Sequence, residues 1–322
     1  MQVTQLEWII TLTVTITVLL FDVMVIGRRP HEPSTRETAT YLSIYLGLAV
    51  AFGVWVWFFH GSQFGLEFFA GWLTEYSLSV DNLFIFLIIM ASFKVPRIYQ
   101  QQALLVGIIL ALIFRGIFIA LGAVAIEKFS WVFYIFGAFL LYTAINLLRD
   151  TEHDDDADNA VVRFARRHLR TTDRWDGLRL WIKDDGARLM TPMFLVIVAL
   201  GTTDLLFALD SIPAIYGLTQ QPYLVFTANV FALMGLRQLY FLLGDLLKRL
   251  VYLSQGLAVI LFFIGVKLVL HALHENELPF INGGEPVPVP NIPTLVSLGV
   301  IVVTLTITTV ASLYKTRVRD LR

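Results

Sequence analysis

The sequence predicts an all-α polytopic membrane protein of about nine transmembrane helices, organised around an inverted repeat of two three-helix units. Three observations carry this expectation. Of the 322 residues, 57% are hydrophobic and 15% charged, with a mean hydropathy of +0.72, far beyond an ordinary soluble domain. Nine apolar segments approach the roughly 20 residues needed to cross a hydrocarbon layer of about 30 Å. Two of those segments carry matching acid pairs, EYSLSVDN (75–82) and DLLFALDS (204–211).

The segments, in order, are 6–26, 40–59, 65–92, 102–124, 129–148, 192–217, 223–247, 251–272 and 293–314. The first reads as a true span, because its leader MQVTQLE lacks the positive charge of a signal peptide and arginines follow the apolar run. They group into two N-terminal helices (1–62), a first three-helix repeat (63–148), a cytosolic loop (149–190), a second, inverted repeat (191–273), and an outer loop with a last helix (274–322).

Of the 24 lysines and arginines, 20 follow odd-numbered spans, Lys128 alone lies on the other side, and Arg115, Arg237 and Lys267 lie inside spans. Positive charge stays cytosolic, so the N-terminus is expected outside a plasma membrane and the C-terminus in the cytosol. In the loop 149–190, HDDDAD (153–158) reads as a solvated acidic linker. NAVVRFARRHLR (159–170) reads as a basic amphipathic helix on anionic lipid, and the loop offers a surface for partner proteins. The proline-rich stretch ENELPFINGGEPVPVPNIP reads as an irregular outer connector.

A net charge of −1 and the lack of any groove-reading motif exclude nucleic acid as a partner. There is no cysteine, hence no disulfide, thiolate metal site or cysteine nucleophile. Nor is there a triad, phosphate loop or histidine-rich centre, so the chain does not read as an enzyme.

The repeat extends beyond the acid motifs. FRGIFIALGA (114–123) aligns with LRQLYFLLGD (236–245), setting Arg115 against Arg237, and FGAFLLYTAIN (136–146) aligns with LAVILFFIGVK (257–267), setting Asn146 against Lys267. An odd number of spans per unit sends the second copy through the membrane from the opposite side, the plan of many transporters, whose sites lie at the midplane between copies. The depths agree: Glu75 is 12 residues in from Gln63, Asp204 is 14 in from Met190, Asp81 is 13 from Lys94 and Asp210 is 9 from Thr219.

Each unpaired acid at a helix centre costs about 2.5–3.5 kcal/mol, so four exposed to lipid would cost on the order of 10 kcal/mol. They must face the interior and be protonated, paired or metal-bound. Pairing with Arg115, Arg237 and Lys267 accounts for at most three of them. Oxygen ligands without thiolates suit hard divalent ions such as Mn2+, Mg2+ and Ca2+. Residues six apart on a straight helix lie about 9 Å apart along the axis and about 240° apart around it, so Glu75 and Asp81 do not readily share one ion. Either the copies contribute jointly across the pseudo-twofold, or a helix breaks, as Pro213 would favour. Asn82, Ser211, Thr202, Thr203 and Asn229 are neutral candidates, and Asp22 and Asp245 lie nearer the cytosolic ends. His271 and His274, followed by Glu275 and Glu277, suggest at most a weak outer metal site.

GWLTEYSLSVDNLFIF, TTDLLFALDSIPAIYG and TANVFALMGLRQLYFLL resemble the signature segments of the TerC/Alx family of integral membrane proteins, over roughly Asp22 to His274. The resemblance implies inverted three-helix repeats like those of the LysE superfamily, export of Mn2+ as substrate with no organic cofactor, and a link to the metal supply of exported enzymes. It implies Glu75, Asp81, Asp204 and Asp210 as metal ligands, with Asp22 accessory. This chain departs from many relatives at Gly201, where they carry glutamate, and at Asn146, where they carry lysine. Two further readings are a membrane scaffold that supports metalation of exported proteins, and a LysE-like exporter of cationic amino acids.

Overall fold

The structure, a computed structural model, describes residues 1–28, 34–129, 131–149, 172, 175, 177, 179–184, 187–247 and 250–320, without the side chains of residues 19, 22–28, 81, 84, 183, 184, 187, 210, 243–247 and 318–320. Within that range, helix α1 (Gln5–Arg28) and helix α2 (Thr35–His60) open on local capping. Thr4 N–H donates to Glu7 Oε2 at 2.6 Å while Glu7 N–H donates to Thr4 Oγ1 at 3.2 Å. Ser34 Oγ likewise accepts from Glu37 N–H at 3.2 Å. Both are Ser/Thr-x-x-Glu segments, which satisfy amides that the first helical turn leaves unpaired.

Gly61, at φ 112°, supplies the backbone that only glycine adopts freely, and helix α3 (Ser62–Ser92) folds straight back along α2. Helix α4 (Arg97–Lys128) follows Pro96, and helix α5 (Val132–Arg149) completes the first half. Helices α6 (Pro192–Tyr216) and α7 (Pro222–Met234) each start on a proline, whose missing N–H costs nothing at a helix start. Helices α8 (Leu236–Leu247), α9 (Leu253–His274) and α10 (Thr294–Asp320) follow. Among the described residues eight segments are long and apolar enough to cross a membrane, and Gln5–Val18 of α1 adds a shorter one. The chain is an all-α polytopic membrane protein.

The expected break at Pro213 does not occur. Helix α6 runs through it, because a proline removes one ladder hydrogen bond and packing on both sides holds the rest. The break lies instead in the seventh span, expected as one helix over 223–247, where α7 ends at Met234 and α8 begins at Leu236 across Gly235.

The end of the loop 149–190, for which the sequence suggested no element, forms a hairpin. Strands β1 (Trp181–Asp184) and β2 (Ala187–Met190) pair antiparallel, with Trp181 opposite Met190. Thr191 at the foot of α6 ties this hairpin down, donating from Oγ1 to Arg179 O at 2.5 Å and from its N–H to Leu180 O at 3.0 Å. The acidic run 153–158 and the expected amphipathic helix 159–170 lie outside the described residues.

Packing follows a swap. Helix α3 packs on α7, and α4 packs on α6, while α5 and α9 pack on each other. In the alignment of the two halves α6 is the counterpart of α3 and α7–α8 of α4, so each half lends its first helix to the other's second. At the α5–α9 crossing a Cβ on Gly137 would stand 3.0 Å from Gly265 O, and one on Gly265 would stand 3.1 Å from Gly137 O. Small residues let backbones approach where lipid offers no hydrophobic drive to associate. Exposed apolar side chains such as Phe58, Phe59, Leu121, Ile135 and Ile307 cover the outer faces, a surface suited to lipid rather than water.

Candidate functional site

Arg115, in the middle of α4, gathers the first acids of the two repeat motifs. Its Nη2 donates to Asp204 Oδ1 at 3.1 Å and its Nε to Asp204 Oδ2 at 3.4 Å, while Nη1 pairs with Glu75 Oε1. The guanidinium is a rigid fork of five donors, so it grips one carboxylate side-on and still has a nitrogen for a second. All three side chains are buried, with 1% exposure for Arg115, 0% for Glu75 and 2% for Asp204. Three helices thus meet through charge in an apolar interior, with one cation against two anions. Such a cluster is held by mutual pairing, since each charge alone would be costly to keep out of water.

On the helices that carry the cluster and on α7, buried polar atoms with no hydrogen-bond partner among the described residues are Thr74 Oγ1, Glu75 Oε2, Ser79 Oγ, Ser211 Oγ and both amide atoms of Asn229. Ser79 follows Glu75 by one helical turn and Ser211 follows Asp204 by two, so each shares a face with its acid. Buried polar atoms are nearly always satisfied, and a set left open beside paired carboxylates is suited to a ligand rich in positive charge.

Glu75 and Asp204, the first acids of the two copies, are thus brought together on Arg115. Asn82 is buried on α3 at 7% exposure. The side chains of Asp22, Asp81, Asp210 and Asp245 lie outside the described ones. Among the described residues no three Asp, Glu or His side chains converge in a metal-binding geometry. Gln238, with its amide oxygen turned to Arg237, accepts from Nη2 at 2.8 Å.

Lys267, expected as a counter-charge to the central acids, is found elsewhere. It donates to Ser297 Oγ at 3.1 Å and lines a cavity of about 730 Å³ at the end of the bundle where α3 begins. The reason is depth: seven residues from the end of α9, its stem reaches the mouth of the bundle rather than its centre. His271 lines the same cavity, with Nε2 2.6 Å from Gln220 Nε2 and 3.3 Å from Glu275 Oε2.

Glu67 was overlooked by the sequence reading. It is buried in the wall of this cavity, accepting from Thr219 Oγ1 at 2.7 Å and from Gln63 Nε2 at 3.1 Å. The signal was available, since GLEFFAGW sets a carboxylate in an apolar run eight residues before Glu75.

The family model described as "Integral membrane protein TerC family" matches residues 60–320. A membrane protein of Mycobacterium tuberculosis is 50% identical over 319 residues, covering 98% of this chain and 80% of its own. The chloroplastic thylakoid membrane protein TERC of Arabidopsis thaliana is 40% identical over 241 residues, 74% of this chain and 63% of its own. An Escherichia coli protein named Alx, a candidate membrane-bound redox modulator by its name, is 36% identical over 301 residues, 89% of this chain and 88% of its own. No solved structure matches.

Proposed function

The chain belongs to the TerC family of integral membrane proteins, and from that premise we propose that it exports a divalent cation, Mn2+ foremost, from the cytosol by alternating access. The observation that carries this reading is the meeting of Glu75 and Asp204, equivalent positions of two repeats, on a single arginine that can neutralise only one of them. With Asp81 and Asp210 the motif acids outnumber Arg115 and its repeat counterpart Arg237 by two formal charges, and a doubly charged ion offsets that excess in a low-dielectric interior. The donors are oxygens, carboxylate, hydroxyl and amide, which hard divalent ions prefer. The exchanged packing of α3 on α7 and α4 on α6 supports a pseudo-twofold with the site on its axis.

In this scheme the ion enters from the cytosolic side, trades water for the central acids, and leaves outward as the two halves rock. The carboxylates draw the ion in and replace its hydration shell. Arg115 holds α3, α4 and α6 together when no ion is present, and the apolar packing on either side excludes water. The domain boundaries 63–148 and 191–273 are the rocking units, the membrane is the plasma membrane, and the N-terminus lies outside. The redox role in the name of the Escherichia coli relative cannot run through thiols here, since the chain has no cysteine. Moving a redox-active metal ion would reach the same end.

The test is Mn2+ flux into or out of liposomes carrying the purified protein. Asp81→Asn and Asp210→Asn are each expected to lower the flux at least tenfold while the protein still inserts. Wild-type protein that moves no Mn2+, or both variants moving it at the wild-type rate, would remove the reading.

A further inference from the structure

The cavity at the end of the bundle where α3 begins is separate from the Arg115 cluster and has its own chemistry. On one wall is Glu67, 7% exposed. Each of its oxygens accepts one hydrogen bond, from Gln63 and from Thr219. A carboxylate has about four acceptor positions, so two remain for a ligand. Glu67 stands two turns above Glu75 on the same helix, roughly 12 Å along the axis. On another wall is Lys267, about 10 Å down from the end of α9. Its one hydrogen bond among the described residues goes to neutral Ser297. An ammonium at that depth is expensive unless it faces water, and lysines so placed mark ion paths. Glu67 and Lys267 both line the cavity, as do Gln63 and Gln220, and the two charges offset each other.

We propose that this cavity is the release site of the exported divalent cation, with Glu67 as the carboxylate that receives it and Lys267 as the like charge that keeps its stay short. The proposal rests on the export reading. A path that carries an ion needs sites strong enough to enter and weak enough to leave. The central acids supply the first and this pair the second. Glu67 alone gives a dication one charged ligand in this cavity, which His271 also lines, and no three acidic or histidine side chains form a metal-binding group among the described residues. Lys267 then repels the ion from within the same cavity. An ion arriving from the outside meets the same ammonium, so return is opposed without a closed gate.

The test measures export of Mn2+ from the cytosolic face in oriented liposomes while Mn2+ is raised on the outer face. Lys267→Gln, which keeps a donor for Ser297, is expected to be inhibited by outer Mn2+ at a concentration roughly tenfold below that for the wild type. Lys267→Arg, which keeps the charge, is expected to behave as wild type, and adding Glu67→Gln to Lys267→Gln is expected to restore the wild-type response. Equal inhibition of Lys267→Gln and wild type, with export intact, overturns the release site and leaves the export reading standing. If no form exports Mn2+, the electron paramagnetic resonance of Mn2+ titrated into purified protein still decides. Lys267→Gln should gain a Mn2+ site that Glu67→Gln removes, and a titration identical to wild type overturns the proposal. Lys267→Met serves as a second neutral variant should Lys267→Gln fail to insert.

Discussion

Arg115→Gln removes the single cation from a site in which both carboxylates are buried, at 0% and 2% exposure. Losing one partner of a buried ion pair costs about 3–5 kcal/mol, because the charge left behind has neither water nor counter-ion. At roughly 2 °C per kcal/mol for a chain of this length, the melting midpoint should fall by about 6–10 °C. Thiol dyes cannot report on this cysteine-free chain, but its seven tryptophans can, through their emission in detergent. The control is the triple variant Arg115→Gln, Glu75→Gln, Asp204→Asn, which replaces the whole cluster with neutral groups of similar shape. Because replacing a buried cluster outright is often close to neutral, the triple variant should melt within about 2 °C of the wild type. Double-mutant cycles then isolate the coupling of Arg115 to each acid. The reasoning is refuted if the triple variant is as unstable as Arg115→Gln, since charge would then not be what the arginine supplies.

Three further variants probe packing and the outer loop. Gly137→Ala would place a methyl 2.7 Å from Val269 Cγ2 and 3.0 Å from Gly265 O, an overpacking expected to cost about 1–3 kcal/mol in a thermal melt. Gly116→Ala, with nothing within 4 Å of the new methyl, should instead be neutral or stabilising by about 0.5–1 kcal/mol as an added helix former. Asn276→Ala should lower stability by about 2–3 kcal/mol and speed proteolysis of the loop after α9. The buried Asn276 amide donates to Ile281 O at 2.7 Å and Glu285 O at 3.2 Å and accepts from Leu278 N–H and Tyr134 O–H at 3.2 Å.

The spans were legible because hydrocarbon imposes length and polarity on every crossing segment, and no tertiary contact overrides that demand. The acids were legible for the same reason, each being conspicuous against its neighbours. That Glu75 and Asp204 meet was readable from the repeat, since inversion brings equivalent positions together. Their sharing of Arg115 was not, because the reach of a long side chain depends on how α4 is rotated against α3 and α6. Gly235 gave no warning of a break, lying in an uninterrupted apolar run beside a single arginine. The hairpin was readable and missed: WIKDDGARLM sets an Asp-Gly pair between two short segments. Asn276 was hidden in a loop whose prolines suggested irregularity, although its amide's hydrogen bonds organise the turn that follows α9.

Where α5 crosses α9, Gly137 and Gly265 bring main chain against main chain, with Val269 and Leu141 packed beside them. Contacts made by side chains give way through rotamer hops, each a small and local adjustment. Peptide groups have no such slack, so these two rods can only swivel or slide as whole bodies. In a chain without a cysteine to cross-link it, a close junction is made by leaving atoms out.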